Sequence, residues 1–277
     1  MTTPQRSLGL RAGTGMALVG AAWLCLGAGT ALAAPQDERW DMLRDMYFSG
    51  RAVEDAGPLL SLEAPTRAND AALVPIRIAT APGADVQVNA VHLIVDQNPV
   101  PMAATFRFAE GGSPQSVETR VRVNAYTNVT AVAETSDGRL LRTVRFVKAS
   151  GGCSAPALKN AQLAVARMGK MKLNLPDTIV AGKPVTAQLL ISHPNYTGMQ
   201  YDQLNYYFIP AHYVKTIDIR YNGTPVLSVQ SDISLSEDPS VHFSLVPDEQ
   251  GTLEVTAEDS NGRVFKDSWP IKALPGS

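Results

Sequence analysis

"AETSDGRLLRTVRFVKA", residues 133–149, and "AEDSNGRVFKDSWPIKA", residues 257–273, align without a gap. Glu134, Gly138, Arg139 and Lys148 recur as Glu258, Gly262, Arg263 and Lys272. Each copy sets a turn pair, Asp137-Gly138 or Asn261-Gly262, between two alternating runs, which is the pattern of an antiparallel hairpin. Two copies predict a chain of two related β-rich halves, each closed by this hairpin.

Upstream of each copy the same grammar continues. "LVPIRIAT", "DVQVNAVHLIVD", "AATFRF", "SVETRVRV" and "NVTAVAET" fill the first half, and "KMKLNLP", "KPVTAQLLIS", "HYVKTIDIRY", "TPVLSVQS", "VHFSLVP" and "GTLEVTAED" fill the second. These runs alternate with a period near two and are separated by turn residues, with no strand–helix alternation. Asn222-Gly223 is the strongest hairpin signal. Pro75 inside the first run marks an edge strand or a bulge. Ahead of the strands, Trp40, Leu43, Met46 and Tyr47 repeat at helical spacing, and Gly50 stands where a helix would stop. The expected fold is all-β: two immunoglobulin-like antiparallel β-sandwiches in tandem, with a short N-terminal helix.

The N-terminus reads as a secretory signal peptide over residues 1–33. Arg6 and Arg11 precede the apolar run "GMALVGAAWLCLGAGTALA", and small residues follow. Cleavage is expected after Ala33, with Ala34 as the alternative, so the mature chain is expected to be exported. Removing the two arginines leaves 22 basic residues against 26 acidic ones, a net charge of −4. That balance argues against nucleic acid or an anionic membrane as partner, and no membrane insertion is expected after signal removal. The 244 residues left of the 277 suggest two domains at the usual roughly 100–200 residues each. The boundaries expected are 34–149 for the first sandwich with its helix, 150–168 for an arm and linker, and 169–277 for the second sandwich.

Of the two cysteines, Cys25 lies in the signal, so Cys153 is left without an internal partner. It stands in "ASGGCSAPALKN", past the last expected strand of the first half. Gly151 and Gly152 give this stretch backbone freedom, and Pro156 stiffens its exit. Nothing apolar adjoins the cysteine, so it is read as an exposed, functional thiol on a flexible arm, against the alternative of a buried, inert side chain.

Other constellations give little. His92, His193, His212 and His242 match no compact ligand spacing, so no metal site is expected and the histidines are assigned structural or surface roles, with His212 packed at a core or interface. "SLSEDPS" lacks the donor spacing of a calcium loop. There is no nucleophile elbow, phosphate-cradling loop or dinucleotide fingerprint, so neither catalytic residues nor cofactors are expected. "YDQLNYYF", residues 201–208, is either a recognition surface or packing between the sandwiches.

The first half, with "VPIRI", "HLIVDQNPVPMAATFRF", "TRVRVNAYTNVTAVAETSDGRL" and "RFVKASGGCSAP", resembles the Y subunit of the periplasmic sulfur-oxidation (Sox) carrier. The second, with "ISHPNYTG", "IPAHYV" and "IRYNGTPVLSVQSDISLSEDPSVHFSLVPDEQGTLEVTAEDSNG", is similar to its Z subunit. The whole resembles fused Sox carrier-like proteins whose genes are found alongside quinoprotein alcohol dehydrogenases. The resemblance implies two immunoglobulin-like sandwiches that pack together. It also implies a covalent carrier thiol at Cys153, presented on Gly151 and Gly152 to periplasmic redox enzymes of a sulfur-oxidation or quinoprotein dehydrogenase system. Here the chain continues past Cys153, which tethers the arm at both ends, and Ser154 replaces a family glycine. The competing expectations are a non-covalent scaffold for a quinoprotein dehydrogenase and a thiol enzyme.

Overall fold

The computed structural model describes residues 35–81, 86–109, 116–156 and 161–276. The expected signal peptide lies outside the described residues. Helix α1 (Pro35–Phe48) leads into β1 (Val53–Asp55), β2 (Leu60–Glu63), β3 (Val74–Thr80), β4 (Val88–Val95), β5 (Met102–Phe108), β6 (Ser116–Val121), β7 (Thr127–Thr135) and β8 (Leu140–Val147). After α2 (Ala161–Arg167) come β9 (Met171–Asn174), β10 (Val185–Ile191), β11 (Tyr201–Asp202), β12 (Tyr207–Phe208), β13 (Val214–Tyr221), β14 (Thr224–Ser231), β15 (Ser240–Leu245), β16 (Gln250–Asp259) and β17 (Val264–Lys272). Every alternating run quoted above is a strand. No helix among the described residues is long and apolar enough to cross a membrane.

The two halves share both of their sheets. One sheet of nine strands runs β1-β8-β7-β4-β5-β14-β13-β16-β17, and the facing sheet of six runs β2-β3-β6-β15-β10-β9. The joins are β5 against β14, with Phe106 opposite Val229, and β6 against β15, with Val117 opposite Phe243. Phe106 and Val229 are fully buried, and a single apolar core continues from one half into the other. The two sandwiches expected in tandem are therefore fused edge to edge, which leaves neither an exposed strand edge at the join.

Strand order makes the internal repeat visible. β8, β7, β4 and β5 on one side of the join are answered by β17, β16, β13 and β14 on the other, and β2, β3 and β6 by β9, β10 and β15. The matching hairpins close alike. Gly138 N–H donates to Thr135 O and Thr135 N–H to Arg139 O, while Gly262 N–H donates to Asp259 O and Asp259 N–H to Arg263 O. Gly138 and Gly262 take the left-handed conformation this turn needs, at φ 82° and 78°.

Strand β4 is buried on both faces. Val91, Leu93 and Val95 face the core between the sheets, while Ile94, with Val132 and Leu140, meets α1 through Trp40, Leu43 and Phe48. The Arg142 guanidinium lies 3.7 Å above the Trp40 ring, a cation–π contact that anchors the helix. Met46, expected on the apolar face, is exposed, and Phe48 is buried in its place. Pro75 sits on a strand flanked by β2, but the β2 ladder stops at Arg77 and no strand partner on that side needs its missing N–H.

Candidate functional site

Residues 151–155 lie in a seat formed by both halves. Beyond the end of β6, Val123 O accepts from Gly152 N–H at 3.0 Å and Asn124 O accepts from Gly151 N–H at 2.9 Å. Asn98 braces this rim: its Oδ1 accepts from Asn124 N–H and its Nδ2 donates to Arg122 O and Ser234 Oγ. From the second half, Thr197 Oγ1 donates to Cys153 O at 2.6 Å and Gln200 Nε2 donates to Ala155 O at 3.2 Å. These contacts go to backbone atoms of the segment and fix its path.

The two glycines play different parts. Gly151 has φ 78° and open space where a side chain would start, so it supplies a left-handed turn. A Cβ on Gly152 would stand 2.0 Å from Ala71 O and 2.8 Å from Val123 N, so this glycine permits close approach of backbone to backbone. Flexibility is the wrong description for Gly152 in this state.

The seat encloses the thiol completely: Cys153 is a free cysteine with no exposed surface. The expectation of a thiol standing clear of the fold is corrected here. Burial is absent along the chain but is supplied across it, by Arg122 and Val123 of one half and Thr197 and Gln200 of the other, because the segment folds back against both. Burial pushes the thiol up to about 11, and the nearby Arg122 charge opposes this only in part. A seated Cys153 is thus protonated at neutral pH and a poor nucleophile.

Arg122 is the charged group of this site. It is 1% exposed; Nη1 donates to Gly152 O at 3.1 Å and Nη2 reaches Asn195 O at 3.5 Å, while Nε has no hydrogen-bond partner. Burial lowers its pKa, and Glu237, Cys153 and Asp70 counter that. Arg122, Asn98, Thr197 and Gln200 escaped the sequence reading. Alternation in "TRVRV" points Arg122 outward, but β6 ends at Val121 and the returning segment covers the next residue.

The second half also brings together residues that the sequence scatters. His193, His212 and Asp259 place three potential ligand atoms within 4.8 Å of one another. His212 Nε2 is 2.8 Å from Asp259 Oδ2, and His193 Nε2 is 3.8 Å from the same oxygen. The histidine rings meet edge to face at 4.7 Å. His212 is therefore partly buried beside a carboxylate, and it does not simply pack in a core. Burial, with His212 close by, lowers His193 to about 4. Burial pushes the Asp259 carboxyl up, but His212 and the N–H groups of Arg263 and Asn261 outweigh it and hold the carboxyl below its usual range.

The aromatic stretch 201–208 is a small hairpin, β11 with β12, whose Leu204, Tyr206 and Phe208 are exposed. It does not pack between the halves, and it follows directly on Gln200 of the seat. A groove of about 740 Å³ on the six-stranded sheet, lined by Arg77, Glu118, Gln188 and His242 among others, shares no residue with the seat.

Comparison with known families divides the chain in the same order as the fold. The family model described as sulfur oxidation protein SoxY matches residues 44–153, and that described as sulphur oxidation protein SoxZ matches residues 172–270. No curated protein matches the chain. Among solved structures, the sulfur carrier protein SoxY from Chlorobium limicola f thiosulfatophilum is 25% identical over 41% of this chain and 94% of its own, with a TM-score of 0.34. The superoxide reductase (neelaredoxin) of Ignicoccus hospitalis is 18% identical over 43% of this chain and 90% of its own, with a TM-score of 0.29.

Proposed function

The chain belongs to the SoxY and SoxZ families, joined in one polypeptide as a fused sulfur-oxidation carrier, and from that premise we propose that Cys153 is the covalent attachment point, working from a gated seat in the periplasm. The SoxY match ends at Cys153, in the segment held by residues of both halves. That is the observation carrying the proposal: the backbone of the segment is held by a handful of hydrogen bonds from both halves; on this reading it lifts from the seat without unfolding either half.

Each such bond contributes a net of about 0.5–1.5 kcal/mol. Breaking the four neutral bonds of Gly151, Gly152, Cys153 and Ala155 and the one from the Arg122 guanidinium therefore costs about 4–9 kcal/mol, which leaves a rare open population for partners to select. In the open state the thiol returns to an ordinary pKa. Its thiolate attacks a sulfur–sulfur bond of an oxidised sulfur compound, forms a new bond from Cys153 Sγ to that sulfur, and expels the other sulfur fragment with its electron pair. This exchange needs no external oxidant. Export and docking to sulfur-oxidation enzymes belong to the same reading, and the exposed hairpin beside Gln200 offers them a contact surface.

Intact mass tests it. Protein from its native compartment should carry a reducible sulfur-containing adduct that is absent from Cys153→Ser. Complete burial of the thiol favours a second reading, a non-covalent accessory of a quinoprotein dehydrogenase. On that reading no adduct forms and the Cys153→Ser chain supports its pathway normally.

A further inference from the structure

We propose that His193, His212 and Asp259 form a binding site for one divalent cation of the zinc type. His193 follows β10, His212 precedes β13 and Asp259 ends β16, so the ion ties three separate stretches of the second half. The inference is independent of the chemistry at Cys153.

Donor availability carries the argument. His193 Nε2 is fully buried and has no hydrogen-bond partner, which is unfavourable in a protein interior unless something binds there. The other ring nitrogen, Nδ1, lies 2.8 Å from Asn195 Oδ1 and 3.1 Å from Asn195 N. Asn195 N–H donates to Nδ1 in one tautomer, and Nδ1–H donates to Asn195 Oδ1 in the other; an ion at Nε2 takes the second, which frees the Nε2 lone pair. Asn195 Oδ1 is itself fixed by Val214 N–H at 3.1 Å. A ligating histidine oriented by a carbonyl oxygen on its far nitrogen is the usual second layer of a metal site.

The other two ligands are equally prepared. Asp259 Oδ1 is engaged by the N–H groups of Asn261 and Arg263, both at 2.9 Å, so Oδ2 is the oxygen turned to the histidines. Two neutral imidazoles and one carboxylate match the ligand set that zinc and related divalent ions take, leaving one position for water. Bonds of about 2.0–2.1 Å around a tetrahedral ion set ligand atoms roughly 3.3–3.5 Å apart. His193 thus closes slightly from 3.8 Å, and the His212–Asp259 contact of 2.8 Å opens as its proton leaves. His212 retains some exposure and gives the ion access. Once bound, the ion stiffens the loop that carries Asn195 and Thr197 to the cysteine seat.

The test uses the full, tag-free chain, stripped with a chelator and titrated with Co²⁺ and then Zn²⁺. One equivalent of cobalt should give visible ligand-field bands that zinc abolishes. His193→Gln, His212→Gln and Asp259→Asn should each weaken binding by at least about tenfold, the least that disturbing even an outer-layer partner costs, with circular dichroism unchanged. Absence of the bands, or equal binding by the folded variants, overturns the proposal. Should a variant not fold, ¹⁵N-histidine spectra of the unmodified chain decide: zinc must shift the ring nitrogens of His193 and His212, and unmoved signals refute the site.

Discussion

Thr197 Oγ1 donates a 2.6 Å hydrogen bond to the carbonyl oxygen of Cys153, so a residue of the SoxZ half holds the cysteine of the SoxY half in place. In a fused chain this makes release of the thiol a property of the join between the halves. Thr197→Val keeps the shape and removes this bond, worth a net of about 1 kcal/mol, together with the one Thr197 Oγ1 accepts from Met199 N–H. Alkylation of Cys153 by a maleimide at neutral pH should accelerate by roughly three- to tenfold. An unchanged rate means the thiol reacts by a route that does not involve lifting the segment.

Gly151 and Gly152 should respond to alanine in opposite degrees from what simple flexibility predicts. Gly152→Ala drives a Cβ into Ala71 O and Val123 N, backbone atoms that cannot turn aside. The segment then fails to seat, and Cys153 should alkylate nearly as fast as a free thiol. Gly151→Ala meets nothing within 4 Å but must hold φ 78°, a strain of about 1–2 kcal/mol, so its acceleration should stop at roughly 5- to 30-fold. Equal behaviour of the two variants would contradict the close-approach role of Gly152.

The pH dependence of the same reaction reports the seat directly. Burial raises the seated thiol from 9.0 to about 11. Because the seated form holds its proton more tightly than the released form, closure is fully favoured below pH 9 and weakens as pH climbs through 11. When opening is fast relative to alkylation, the observed rate rises about tenfold per pH unit straight through 9 and levels off near 11. Gly152→Ala, with the thiol released, should level off near 9. A plateau near 9 in the unaltered chain would mean the segment is open at rest.

The sheets were legible in the sequence because strands such as β3, β6, β10 and β16 bury alternate residues, and period two survives in runs such as "SVETRVRV". The repeat at residues 133–149 and 257–273 pointed to two related halves, whereas the sharing of both sheets between them rests on pairings remote in sequence. Short edge elements were not legible: β1 has three residues, too few for any period. The seat was hidden for a different reason. Local composition around Cys153 is polar and small, and burial there comes from Arg122, Thr197 and Gln200, remote in sequence. The His193, His212 and Asp259 cluster was invisible for the same cause, since a loop, a strand start and a hairpin corner share no spacing rule.

Joining the sheets across the middle predicts how the protein behaves when cut. Residues 34–156 and 157–277, produced separately, would each present two unpaired strands at the join, β5 and β6 in one piece and β14 and β15 in the other. Such edges recruit other chains. Co-expressed pieces should therefore purify as a one-to-one complex, whereas either alone should self-associate. Val229→Asp places a carboxylate opposite Phe106, where both side chains are fully buried, and an unpaired buried charge costs several kcal/mol. It should abolish association of the pieces. The intact chain, in which the linker holds the halves at an effective concentration on the order of millimolar, should still fold with a lower melting temperature. Gel filtration of the pieces decides the matter: if each runs as a stable monomer and the two ignore one another, the continuous sheets are not what holds the halves together.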